Sequence, residues 1–150
     1  MGTKTKFPLA KEFLEQVEKL DAIIENKLIE KQQWKDRALG ITAQMDGERV
    51  QSSGAKDKMA SAVERCVDVE REIDSLVDKL VDTKKEVTQT IESLHSPTEY
   101  KLLHLRYIQY VPLKDIADLW GMDYTNITTI HGRALKNVQV MLEAKKGGEH

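Results

Sequence analysis

Seven polar or cationic side chains near the C-terminal end stand at spacings a single helix would gather: Tyr124, Thr125, Asn126, Thr128, Thr129, Arg133 and Lys136. Apolar residues alternate with them at Ile127, Ile130, Leu135 and Val138. Their stepping is that of a helix with one buried and one outward face. Hydroxyls, an amide and a guanidinium on the first turns of such a helix are groups that meet base edges and phosphates of duplex DNA. The chemistry they support is hydrogen bonding and charge pairing, not bond making.

Bond-making arrangements are not found elsewhere in the sequence. His95, His104, His131 and His150 are scattered, and none stands at ligand spacing from Cys66, so no metal site is expected. Cys66 falls on an apolar helical stripe and reads as a small core residue. There is no Gly-rich phosphate loop and no Ser-His-Asp arrangement. Carboxylate pairs such as Asp74 and Asp78 lie on polar faces without apolar cover to shift a pKa. A non-enzymatic protein without a cofactor is expected.

The outward row needs elements to hold it. Leu113, Ile116 and Ala117 give a short first helix, and the small Ala117 permits close approach of the next one. Gly121 supplies a turn residue tolerant of positive φ, and Asp123 is placed to cap the final helix, which runs to about Leu142. Together these form a helix-turn-helix pattern. Upstream, Ser96, Pro97 and Glu99 make a partial capping box for a helix bearing Tyr100, Leu103 and Tyr107, ended by Val111 and Pro112.

The first 96 residues read differently. Pro8 suits a first helical turn, and Leu9, Phe13, Val17, Leu20, Ile24, Leu28 and Trp34 form a stripe on a helix expected to end near Leu39, with Gly40 as its stop. Residues 41–56 hold Gly47, Ser52, Ser53 and Gly54 and are expected to be a loop. From Asp57, placed as an N-cap, a second helix carries a sustained heptad stripe: Met59, Ala62, Cys66, Val69, Ile73, Leu76, Leu80, Thr83, Val87 and Ile91. The expected fold class is therefore all-α. Residues 1–96 are expected to form a long antiparallel helical hairpin of coiled-coil type, with a parallel dimer through the second helix as the rival. Residues 97–150 are expected to form the helix-turn-helix domain.

Composition fits long solvated helices: 32% of residues are charged and only 5% aromatic, too few for an aromatic-rich core. One cysteine excludes an internal disulfide. No run approaches the roughly 20 apolar residues of a membrane span, and none near Met1 suits a secretory signal, so a cytoplasmic protein with no membrane partner is expected. The net charge of −2 is unevenly spread. Residues 1–96 hold 16 Lys and Arg against 19 Asp and Glu, whereas 97–150 hold 7 against 6. Between Tyr124 and Lys146 only Glu143 opposes Arg133, Lys136, Lys145 and Lys146. Affinity for DNA from phosphate contacts alone should be weak and salt-sensitive.

Residues 98–138 resemble region 4 of sigma-70-type factors. TEYKLLHLRYIQ is similar to the helix preceding that family's motif, through Leu103, Leu105, Arg106 and Tyr107. LKDIADLWGM resembles its first motif helix and DYTNITTIHGRALKNV its recognition helix, most specifically at Arg133, Ala134 and Leu135. By position the resemblance implies base reading at Tyr124, Thr125 and Thr129, and backbone or partner contacts at Thr128 and Arg133. The departure is chemical: sigma factors place charged residues at several positions where this chain has Tyr and Thr, so their promoter specificity does not carry over. Nothing resembles sigma region 2, so a self-sufficient sigma factor is not expected. Nearly the whole chain is similar to a family of phage-encoded proteins with a coiled-coil N-terminal half and a sigma-like C-terminus. Val50, Gln51, Ser52 and Ser53, with Asp57, Lys58 and Met59, resemble that family's central signature. Neighbouring families are ArpU-type late transcription regulators.

The resemblance implies a phage or prophage transcription regulator in the host bacterial cytoplasm. Its partners would be double-stranded DNA, with RNA polymerase and a second copy of the chain as further candidates. A terminase small-subunit-like packaging protein and a coiled-coil structural adaptor are the alternatives.

Overall fold

The computed structural model describes residues 6–47 and 53–147, and every element among them is helical. In order these are α1 (Pro8–Gly47), α2 (Ser53–Glu92), α3 (Pro97–Leu103), a π-helical turn (His104–Ile108), α4 (Leu113–Trp120) and α5 (Tyr124–Gly147). No described helix is long and apolar enough to cross a membrane. The chain divides into two compact units, Leu20–Leu80, and Met1–Lys19 together with Val81–His150. Ser96 and Pro97 lie inside the second of these.

In the Leu20–Leu80 unit, the heptad stripe of α2 meets α1. Ala62, Val69 and Ile73 are buried, and Met59, Cys66, Leu76 and Leu80 are partly so. Lys27 pairs with Glu72, Lys31 with Glu70 at 3.1 Å, and the Arg65 guanidinium lies 5.9 Å from the Trp34 ring centroid. Rising positions on α1 thus meet falling positions on α2. The Glu72 carboxylate, hydrogen-bonded to Lys27, raises that ammonium's pKa. Both Lys residues are partly buried along α1 where apolar residues were expected, whereas Leu28 is 49% exposed. The stripe expected through Leu9, Phe13 and Leu28 is therefore displaced: the buried positions of α1 are Ala10, Leu14, Val17, Leu20 and Ile24.

The expected loop over residues 41–56 is also corrected. α1 continues through Gly40 to Gly47, and α2 starts at Ser53, which leaves Asp57 inside a helix instead of capping one. Gly40 has helical φ, and a Cβ built there meets nothing within 4 Å. A glycine so placed weakens a helix by about 1 kcal/mol relative to Ala but does not end it, and flanking helix formers outweigh that cost. Of the signature residues, Val50, Gln51 and Ser52 lie outside the described residues. At 40 residues, α2 is about 60 Å long.

In the other unit, the N-terminal end of α1 is closed by α5. Phe7, left-handed at φ 59, leads into Pro8, and its carbonyl accepts the Lys11 N–H at 3.1 Å. The next amide back, Ala10 N–H, is buried and has no intrahelical acceptor. It donates to Gln139 Oε1 at 2.9 Å, while Gln139 Nε2 donates to Glu143 Oε1 at 2.9 Å. Gln139 is thus a nearly buried polar residue that caps another helix. Gln139→Leu should leave the Ala10 amide unpaired and cost about 1–3 kcal/mol. Thermal melting of the full chain would read this loss, and exchange of the Ala10 amide should accelerate alongside it.

Ser96 caps α3 as expected, its Oγ accepting the Glu99 N–H at 3.3 Å with Pro97 in the first turn. The expected run of this helix to Val111 is replaced by a wider turn: Gln109 N–H donates to His104 O at 3.1 Å and Val111 N–H to Leu105 O at 2.9 Å. The extra residue per turn brings both Tyr107 and Ile108 into the core. Tyr110 follows at φ 62, a left-handed conformation costing roughly 1–2 kcal/mol for a residue with a Cβ.

Candidate nucleic-acid interface

The C-terminal core that carries the outward row is built from Leu102 of α3, Ile116 and Ala117 of α4, and Ile127 of α5. Around it pack Leu105, Val111, Leu113, Trp120 and Ile130. Ala117 is buried, its small side chain leaving room where α4 meets α5. Gly121 ends α4 at φ 63 and ψ 35. Its N–H donates to Asp118 O at 3.3 Å and the Met122 N–H to Ala117 O at 2.9 Å, the paired bonds of a left-handed helix stop. Asp123 O then accepts the Ile127 N–H at 3.2 Å, opening α5.

On α5, Ile127, Ala134, Leu135 and Val138 are buried, and Ile130 is half-buried. The opposite face presents Thr125, Asn126, Thr129, Arg133 and Lys136, all exposed, while Tyr124, exposed at the first position, and half-buried Thr128 border the buried stripe. All seven residues singled out from the sequence therefore lie on one helix, six of them in the open. The first turn of α5 contains no acidic residue, so the helix dipole there is not offset from within the helix. Along the whole helix, Arg133, Lys136, Lys145 and Lys146 face one opposing carboxylate, Glu143. Asp115, Asp118 and Asp123 next to the turn are exposed and act against phosphate approach, which keeps the electrostatic attraction small. Leu119, 69% exposed, and Met122 are further exposed apolar side chains in the residues preceding Tyr124.

Behind this face sits a polar pair not read from the sequence. The Tyr107 Oη and His131 Nε2 atoms are 2.8 Å apart, with the rings stacked at 5.8 Å between centroids. The Arg106 guanidinium lies 5.3 Å from the Tyr107 ring centroid, with its Nη1 3.7 Å from Glu18 Oε2. Burial pushes the Tyr107 phenol up to about 12. Burial first, then Arg106 and Lys11, lowers the His131 pKa to about 4. The pair fixes the back of α5 against the π-helical turn. A tyrosine and a histidine 24 positions apart carry no mutual signal in sequence; only a polar residue near an apolar stripe hints at a partner.

This pair sets a pH dependence. With a folded pKa below the unfolded value of about 6.5, His131 binds fewer protons folded than unfolded between pH 6.5 and 4. Its contribution to stability is whole above pH 6.5 and declines as pH falls towards 4. Allowing for the partly exposed ring edge, the loss should be about 1–3 kcal/mol. Urea midpoints at about pH 7 and 4.5, compared between wild type and His131→Gln, should show a steeper acid-side decline in the wild type.

Comparison of the chain with protein-family models, with curated proteins and with solved structures returns no significant match.

Proposed function

We propose that this chain is a DNA-binding transcription regulator of the phage type, with α4, the Gly121 turn and α5 acting as a sigma region 4-like helix-turn-helix. In this proposal α1 and α2 act as an antiparallel helical hairpin that provides an assembly or partner surface. The observation that carries it is the outward row of α5, from Tyr124 to Lys136, held in the open by burial of Ile127, Leu135 and Val138 on the other side. A helix of this kind, with uncharged hydrogen-bonding groups on its first turns and cations beyond them, suits base reading at one end and phosphate contact at the other.

The test is a titration of the full chain onto labelled duplexes at about 50 and 200 mM salt, followed by selection from randomised duplexes. Salt-dependent binding with enrichment of one sequence supports a regulator. Binding without enrichment removes specific reading, and no binding at the lower salt removes the DNA reading.

A further inference from the structure

Two of the four hydroxyls on the outward row, those of Thr128 and Thr129, already spend their proton inside the helix. Thr128 Oγ1 donates to the Thr125 carbonyl at 2.8 Å, and Thr129 Oγ1 donates to the same carbonyl at 2.9 Å. A threonine hydroxyl carries one proton, so both donors are engaged inside the helix. What these residues still offer is a methyl group and oxygen lone pairs. Thr129 is exposed, as are Thr125 and Asn126 next to it.

The major groove contains one apolar group, the thymine C5 methyl. The adenine paired with it presents an N7 acceptor and an N6 donor, which the Asn126 amide can meet with its own donor and acceptor. Guanine is read mostly by Arg or Lys at O6 and N7. Here Arg133 stands seven residues beyond Asn126, about 10 Å along the helix, and Lys136 lies further still. The first turns of α5 carry no such cation.

Resting on the DNA reading above, we infer that the first turns of α5 select A·T base pairs, with the Thr129 methyl against a thymine methyl and Asn126 on an adenine edge. At Thr129 the specificity is for a methyl group, not for a hydrogen bond from its hydroxyl to the base; Asn126 adds the hydrogen-bonded contact.

The probes are duplexes of equal length: alternating dA and dT, the same with dU replacing dT, alternating dG and dC, and the same with 5-methyl-dC. The full chain should bind the dT duplex about fourfold more tightly than the dU duplex for each methyl contacted, and methylation of dC should strengthen binding in the same sense. Thr129→Ser keeps the hydroxyl and removes the methyl, so it should reduce the dT-to-dU ratio. Thr129→Val keeps methyl groups and removes the hydroxyl, so it should preserve that ratio. Equal wild-type affinity for the dT and dU duplexes overturns this inference and leaves DNA binding standing. So does a ratio that both variants retain, or one lost in Thr129→Val and kept in Thr129→Ser. No retention of any duplex at about 50 mM salt removes the DNA reading itself.

Discussion

Ile127→Ala is expected to destabilise the unit containing α5 by about 2–5 kcal/mol, the range for emptying a well-packed aliphatic site. Ile127 is fully buried and shares its core with Leu102, Ile116 and Ala117, so the vacated volume touches three helices at once. The small Ala117 cannot move to fill it, and Leu102 and Ile116 are themselves fully enclosed. The melting temperature should fall by on the order of 10 °C or more. Leu119→Ala, one turn away in α4 but 69% exposed, should change it little. Comparable losses in the two variants would show that the buried side of α5 is not the anchor. The position also matters for function, because Ile127 lies between Asn126 and Thr128 in sequence. Under the proposed function, loosening it would release the proposed reading residues from a fixed register before any of them has been altered.

The second large effect concerns the cations. Arg133→Ala with Lys136→Ala should weaken binding to all duplexes by about a hundredfold or more, since each charge-assisted contact contributes about 1.5–3 kcal/mol. Two lost phosphate contacts should also flatten the plot of log affinity against log salt by roughly 1.8. The ratio between a selected duplex and a scrambled one should hardly move, because phosphate contacts carry no sequence information. Thr125→Ala and Thr129→Ala should do the reverse, narrowing that ratio with little effect on scrambled DNA. An unchanged salt slope in the double variant would exclude Arg133 and Lys136 from the contact surface. With Asp115, Asp118 and Asp123 opposing them from beside the turn, few other cations can compensate.

The stripe of α2 was legible because its stepping never falters: Ala62, Val69, Ile73, Thr83, Val87 and Ile91 are buried as the heptads require. The outward row of α5 was legible for the same reason, since a 3.6-residue period assigns faces without knowledge of the partner. Gly121 could be placed because positive φ is a local demand on one residue. The end of α1 was not legible, because the helical cost of Gly40 is small and its surroundings decide the outcome. The position of Lys27 and Lys31 along α1 was hidden too: their acceptors, Glu72 and Glu70, lie about 40 residues away. The π-helical turn leaves no signature in His104–Ile108, and Tyr107 with His131 becomes a pair only after α5 has packed. What escaped the sequence is what depends on contacts between distant elements.

The bond from Ala10 to Gln139 spans 129 positions, and this separation bears on how the protein is made. A chain synthesised at about 5–20 residues per second has the first turn of α1 polymerised roughly 6–26 s before Gln139 is added. Throughout that interval the Ala10 amide can be satisfied only by water, and the start of α1 frays. Closure of this end therefore belongs to the last stage of synthesis, when α5 emerges and supplies its acceptor. Truncated nascent chains that stop before α5 should remain open to proteases at the start of α1, and release of the full chain should close that site.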